Sequence, residues 1–420
     1  MLDQAIEAKL RKLPVSVAIT LPGGRRIGPE PAQVSLRIHE QHTLAQLAIG
    51  QVGAVGEAIV QGQADLDGSM RDVMAAVTGL LPQVPVQSHS AFWTRGWRLI
   101  LSAMRHTRSR DAEQVQFHYD VGDEFYALWL DPRRVYSCAY FRTPEASLGQ
   151  AQEDKLDLIC RKLMLRPGER FLDIGAGWGG LLLWAAEHYG VDATGITLSH
   201  NQHQYVNQLI EQKGLTGRVR MQLCDYRDLG TDQPFDKIAS VGMFEHVGRA
   251  NMGTYFGHLY QLLQPGGLLL NHGITAGGLN NTQLGAGLGD FIDKFIFPGG
   301  ELIHISSAIR SLCDAGLEML DTENLRPHYA RTLWDWSDSL ESQLDAAKAV
   351  LVTQSGNENR AETILRAYRL YLSGCALAFE QRWVALHQIL ASRPDNDMNS
   401  GSMRGAQTVY PFQRDYMYAR

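Results

Sequence analysis

The sequence predicts an α/β protein, a doubly wound and mostly parallel sheet with helical insertions, preceded by a small α+β domain. Two observations carry the larger part of this. From about residue 150, short apolar runs alternate with amphipathic stretches, and parallel strands need such crossover connections. Within that pattern "DIGAGWGG" (173–180) sets glycines between a strand-like and a helix-like run, where sheets of this kind keep their ligands. A chain of 420 residues, 45% of them hydrophobic, can bury a sizeable core and favours two domains over one.

Taken in order, "LDQAIEAKLRKL" places Leu2, Ile6, Leu10 and Leu13 on one helical stripe. "VSVAIT" (15–20) and "QVSLRIHE" (33–40) alternate as strands around Gly and Pro punctuation. Residues 48–77 look like small-residue packing followed by a helix. These elements make residues 1–90 an accessory domain, with 91–115 as linker and 116–420 as the main domain. In the linker, "FWTRGWRLILSAMRHTRSR" (92–110) mixes five arginines with Phe92, Trp93 and Trp97. An anionic lipid surface would attract such a segment, and a solvated basic linker fits it equally.

In the main domain "RFLDIG", "VDATGIT", "VRMQLCD", "DKIASVG" and "GLLLNHGIT" read as strands. "GGLLLWAAEHYG", "SHNQHQYVNQLIEQKG" and "MGTYFGHLYQLLQPGG" read as the helices between them. After "TLWDWSDSL" the pattern is mainly helical to about 392.

Five scattered cysteines, an odd number without CxxC pairing, argue against a disulfide framework or a zinc cluster, and no metal is expected. A net charge of −6 excludes wholesale nucleic-acid binding. No apolar run approaches the roughly 20 residues of a membrane crossing, and a cytoplasmic protein is expected.

Gly175, Gly177 and Gly180 have the GxGxxG spacing, which alone also fits NAD or a bare strand-to-helix turn. A dinucleotide site wants an acid at the tip of the second strand, but Thr197 stands there and Asp192 lies at the wrong end. Asp173 instead ends the first strand just before the glycines, as in S-adenosylmethionine methyltransferases, whose cationic sulfonium needs no phosphate cradle. The expected fold is therefore the class I, Rossmann-like methyltransferase sheet.

"FHYDVGDEFYALWLDPRRVYSCAYF" (117–141), "GITLSHNQ" (195–202), "CDYRDL" (224–229), "GMFEHVG" (242–248), "FIFPGG" (295–300) and "RPHYARTLW" (326–334) follow one another in this chain. Together with the glycine loop, and over roughly residues 90–400, this order resembles the cyclopropane-fatty-acyl-phospholipid synthases and the related mycolic-acid cyclopropane synthases. The resemblance implies transfer of a carbon from S-adenosylmethionine to a cis double bond of a phospholipid acyl chain, with ring closure. It implies a bound bicarbonate ion as base, held by Cys138, Glu245, His272, the Ile274 amide and Tyr329. It places Asp173, Gly175 and Gly177, with Trp178 and Gly179, at the methionine end of the cofactor. Thr197, Leu198 and Gln202 fall near the ribose, Tyr226 and Arg227 at the adenine, and Tyr136 and Ser137 close over the site.

The resemblance also implies a homodimer working at the inner face of a membrane, a lipid-binding first domain, and an acyl tunnel covered by residues 275–300 and the helices after 335. Without it, Cys138 reads as a small buried hydrophobe and His272 as a core histidine. Two departures stand out: Asn271 and Gly273 replace the Leu and Thr of many members. Residues 28–75 match only loosely. Relatives that install a methyl branch or a methylene, or that methylate small amines, share parts of the same motifs.

Overall fold

A computed structural model describes residues 6–8, 10–80, 121–278, 302–395, 410–411 and 413–419. The basic segment 92–110, most of the Gly-rich stretch 275–300 and "FIFPGG" lie outside the described residues. The described chain forms two compact units, one of residues up to 80 with Leu333–Trp383, the other of 121–278, 302–332 and the residues from Val384 on.

In the first unit β1 (Val17–Thr20), β2 (Arg26–Ile27), β3 (Val34–Ile38) and β4 (Ala64–Asp67) form a sheet of order β2-β1-β3-β4. Only β1 and β3 run parallel. Period-two alternation buries Val34, Leu36 and Ile38 while Arg37 faces out. Helices α1 (Gln41–Ala48), α2 (Val52–Val60) and α3 (Met70–Leu80) complete the N-terminal part. The short strand β4, between α2 and α3, was not anticipated.

The second unit begins with α4 (Asp123–Ala127) and α5 (Leu148–Lys162), whose Ser147 cap accepts from the Gln150 N–H. Alternation then follows: β5 (Arg170–Ile174), α6 (Gly180–Tyr189), β6 (Asp192–Thr197), α7 (His200–Gln212), β7 (Val219–Leu223), β8 (Phe235–Val241), α8 (Met252–Leu262) and β9 (Leu263–Ala276). After α9 (Ile305–Asp314) come β10 (Glu318–Asn324) and α10 (Arg326–Glu341). α11 (Leu344–Ser355) and α12 (Glu358–Glu380) belong to the first unit, and the chain returns as β11 (Val384–Ser392) before α13 (Asp415–Tyr418).

The sheet order is β10-β11-β9-β8-β5-β6-β7, with β9 through β7 parallel and β11 antiparallel to both of its neighbours. Successive strand residues face opposite sides. Phe171, Ala239 and Leu270 join one apolar core, while Leu172, Ile238 and Leu269 join the other. Burial on both faces is what parallel strands require. The expectation of helix to about 392 is corrected by β11. "VALHQILAS" is a short apolar run whose period cannot separate helix from strand, and pairing with β9 decides it. β10 was likewise missed. No helix among the described residues is long and apolar enough to cross a membrane.

Candidate active site

The carboxyl ends of β5, β6 and β8 open onto a cavity of about 1220 Å³. Tyr136, Ser137, Asp173, Gly175, Gly177, Trp178, Thr197, Leu198, Gln202, Tyr226 and Arg227 all line it. Gly179 is not in the lining. With φ +81 it is the left-handed residue that starts α6, and a Cβ there would press on Val206 at 3.0 Å. The turn before it is held by the N–H groups of Gly175 and Ala176, which donate to the Ile196 carbonyl at 3.1 and 2.9 Å.

The segment carrying Tyr136 and Ser137 is fastened from several sides. Asp131 accepts from the N–H groups of Arg133 and Val135, both at 2.9 Å. From α5, Gln152 donates to the carbonyls of Val135 and Ser137, and Lys155 Nζ donates to Ser137 Oγ at 2.8 Å. Tyr136 packs on Tyr126 and Trp129, ring centres 5.4 and 5.5 Å away. Sequence reasoning missed Gln152 and Lys155. The signal was present, since both share the buried stripe of α5 with Leu156 and Ile159, where an unpaired charge is costly.

Burial raises the Asp173 carboxyl to about 7 and lowers Lys155 to about 8, while each favours the other's charged form. Among the described residues, three buried polar atoms in the cavity wall have no hydrogen-bond partner: Asp173 Oδ2, Trp178 Nε1 and Gln202 Nε2. Buried polar groups are rarely left so. An acceptor and two donors around the cleft fit a ligand with amino-acid and ribose groups.

A second group of residues sits beside this cavity. Glu245 lies in the first of two 3-10 turns after β8, next to the lining residue His246. Its Oε1 accepts from the Ile274 N–H at 2.6 Å, its Oε2 is buried without a partner, and burial raises its pKa to about 7. The Ile274 amide, expected at the anion, is thus engaged by Glu245. Gly273 makes room for this arrangement: a Cβ there would stand 2.1 Å from the Phe244 ring and 3.2 Å from Glu245 Oε1.

His272 shares its face of β9 with Ile274. Its Nδ1 lies 3.2 Å from Gln388 Nε2, and Gln388 Oε1 accepts from Lys162 Nζ at 2.7 Å. Because the ammonium claims the amide oxygen, the amide nitrogen must face the imidazole. Nδ1 is then an acceptor, and the proton sits on Nε2. Burial holds His272 neutral, far below its usual pKa, and its Nε2 is buried without a partner.

Cys138 is fully buried, with Sγ 3.2 Å from the Ala139 carbonyl and 3.9 Å from that of Leu325. Burial pushes its thiol up, so it stays protonated and is no nucleophile. The N–H of the buried Tyr329 donates to the same Leu325 carbonyl at 3.0 Å. Lys155 lies within electrostatic reach of Cys138, Asp173 and His272 alike. The structure therefore gathers Cys138 and Tyr329 at one carbonyl and Glu245, His272 and Ile274 at one strand end.

A parallel sheet with a glycine turn closing its first strand and a ligand-sized cavity at the strand ends, shared with solved cyclopropane synthases, gives the chain the class I S-adenosylmethionine-dependent methyltransferase fold. Comparison with known proteins narrows the class. The chain belongs to the family described as mycolic acid cyclopropane synthetase, which matches residues 106–389. It is 44% identical to a probable fatty acid methyltransferase of Pseudomonas putida over 371 residues, 88% of this chain and 90% of that one. It is also similar to the solved structures of the cyclopropane synthase MmaA2 from Mycobacterium tuberculosis and of the mycolic acid cyclopropane synthase CmaA1 complexed with SAH and CTAB. Each has a TM-score of 0.61 at 34% identity, covering 67% of this chain and 98% of the other.

Proposed function

We propose that the chain transfers a carbon from S-adenosylmethionine to the cis double bond of an unsaturated phospholipid acyl chain, closing a cyclopropane ring with the help of bound bicarbonate. The observation that carries this reading is the pair of buried, partnerless atoms Glu245 Oε2 and His272 Nε2. One accepts and the other donates, which suits an anion that still bears a hydroxyl: His272 donates to a charged oxygen while Glu245 accepts from the hydroxyl. Cys138 forms an apolar, weakly donating wall, and the Tyr329 hydroxyl is the further donor in this reading.

S-adenosylmethionine, when bound, supplies an electrophilic methyl carbon. An isolated alkene is a feeble nucleophile, so the protein's task is alignment and exclusion of water. Asp173, Gly175 and Gly177 hold the methionine end in this proposal, Thr197, Leu198 and Gln202 the ribose, Tyr226 and Arg227 the adenine, and Tyr136 with Ser137 closes the site. Neither Cys138, held as a thiol, nor His272, with both nitrogens committed, can take up a proton. Glu245, poised near 7, can draw one through the anion's hydroxyl. The enzyme acts as a homodimer at the inner face of the membrane, with the arginines of 92–110 drawn to anionic lipid.

The Pseudomonas putida relative is named for methyl transfer to a fatty acid, with which a second reading, a methyl-branched product, is also compatible. The test of the site is Glu245→Gln and His272→Ala in the full chain. Each is expected to abolish lipid modification while S-adenosylmethionine binding, followed by calorimetry, stays intact. Retained turnover with normal binding refutes the assigned roles.

A further inference from the structure

Arg134 lines the methyl-transfer cavity beside Val135 and Tyr136, yet it belongs neither to the glycine turn nor to the residues gathered around Glu245. Its backbone is strained. The φ of Arg134 is +53, and among the other described non-glycine residues only Met164 and Arg382 have a positive φ. Left-handed backbone costs an arginine energy that glycine or asparagine largely avoids, and residues held this way gather at functional sites. Here Asp131 does the holding. Its carbonyl accepts from the Arg134 N–H at 2.8 Å, and its carboxylate accepts from the N–H groups of Arg133 and Val135 on either side. The turn itself gains nothing from an arginine, so the reason for this residue type lies in its side chain.

The guanidinium lies over the Tyr205 ring, 4.5 Å from its centre, and 5.6 Å from the centre of Trp178, the two rings being packed edge to face. Stacking occupies the flat face of the group and leaves the N–H donors of its edge open to a carboxylate. Nη1 is buried with no hydrogen-bond partner among the described residues, and the Asp123 carboxylate stands 3.5 Å from it, too far for a good hydrogen bond. The other arginine and the lysine of the described cavity wall are committed. Arg227 is held at both oxygens of Asp225, at 2.8 and 2.5 Å, while Lys155 donates to Ser137 Oγ at 2.8 Å and offsets the buried Asp173. The amino-acid end of S-adenosylmethionine presents an ammonium and a carboxylate. Asp173 offers a counter-charge to the first. Among the described lining residues Arg134, set against Trp178 of the glycine turn, is the cation with an open donor for the second.

We propose that Arg134 binds the carboxylate of S-adenosylmethionine, so that the chain selects its cofactor by an intact amino-acid end. The proposal rests on S-adenosylmethionine as the cofactor and not on the lipid product. Calorimetry of the full chain compares S-adenosylmethionine with its decarboxylated analogue, which keeps the sulfonium, the ammonium and the nucleoside. The parent is expected to prefer the intact cofactor.

Arg134→Asn keeps a residue that tolerates left-handed backbone, and Arg134→Gly, which relieves the strain altogether, is the second variant. Melting curves show which of them fold. In a folded variant the affinity for S-adenosylmethionine is expected to fall about 10–100-fold, the loss of a charge-assisted hydrogen bond, while that for the analogue is unchanged. Equal loss on both ligands makes Arg134 a packing residue and overturns the proposal, as does an affinity for S-adenosylmethionine that the substitution leaves unchanged. Lipid products are read in parallel samples with methyl-labelled cofactor. Selective loss in the variant with no lipid product from the parent defeats the proposed function alone, and a lipid product from the parent without that selectivity defeats the role of Arg134 alone.

Discussion

At the scale of single residues, the chemistry rests on protonation states that neighbours impose. The chain Glu323–Lys162–Gln388–His272 fixes the imidazole tautomer, so Gln388 is a positioning residue for His272. Gln388→Leu removes that control, and turnover is expected to fall on the order of 10–100-fold, a loss typical of removing an orienting partner. Cofactor affinity, measured by calorimetry, stays the same if the account is right. Gly273→Thr, which installs the residue of many relatives, must displace Phe244 and with it Glu245. Overpacking of this kind costs about 1–3 kcal/mol, to be read as a lower melting temperature together with lost activity. A pH dependence follows from the cavity's two titrating groups. Asp173 gains its negative charge as pH rises through about 7, and Lys155 loses its positive charge as pH rises through about 8. Both changes favour a cationic sulfonium, so S-adenosylmethionine binding tightens with pH over this range, and Lys155→Met is expected to flatten the upper limb. Binding that weakens as pH rises contradicts the assignment.

Among the elements, α5 is the one on which the cofactor site depends, because Gln152 and Lys155 hold the segment 135–137 that forms one of the cavity's walls. Gln152→Leu leaves two carbonyls short of a donor, at about 1–3 kcal/mol, and is expected to raise the S-adenosylmethionine dissociation constant with little effect on the rate at saturation. The parallel core β5 to β9 was legible in the sequence because its strands are short runs closed by turn residues and helix-period stretches follow β5, β6 and β8. The glycine turn was legible for a related reason, since positive φ at Gly175, Gly177 and Gly179 is a backbone demand that residue type reveals. β10 and β11 were not, because β11 forms against β9 and β10 against β11, in each case a partner far away in sequence. The same long-range character hid Gln388 and Lys162, whose link to His272 exists only once β11 lies against β9. The residues proposed to hold bicarbonate were named by family resemblance, as spacing alone says nothing of Cys138 or Tyr329.

Over the whole molecule, the methyl-transfer sheet carries the chemistry proposed here, and attraction to lipid is a matter of where the charge lies. A net charge of −6 gives no general attraction to anionic membranes, so any such attraction must come from local clusters such as the arginines of 92–110. Replacing Arg95, Arg98, Arg105, Arg108 and Arg110 is expected to reduce flotation with anionic vesicles and to leave S-adenosylmethionine binding unchanged, and equal flotation removes that role. The central claim is the making of a three-membered ring on an acyl chain. Its most direct test is proton NMR of unsaturated phospholipid after incubation with the enzyme and methyl-labelled S-adenosylmethionine. The account predicts the label in the upfield cyclopropane resonances, alongside a mass gain of one methylene; a label confined to a methyl branch, or absent from the lipid, would contradict it.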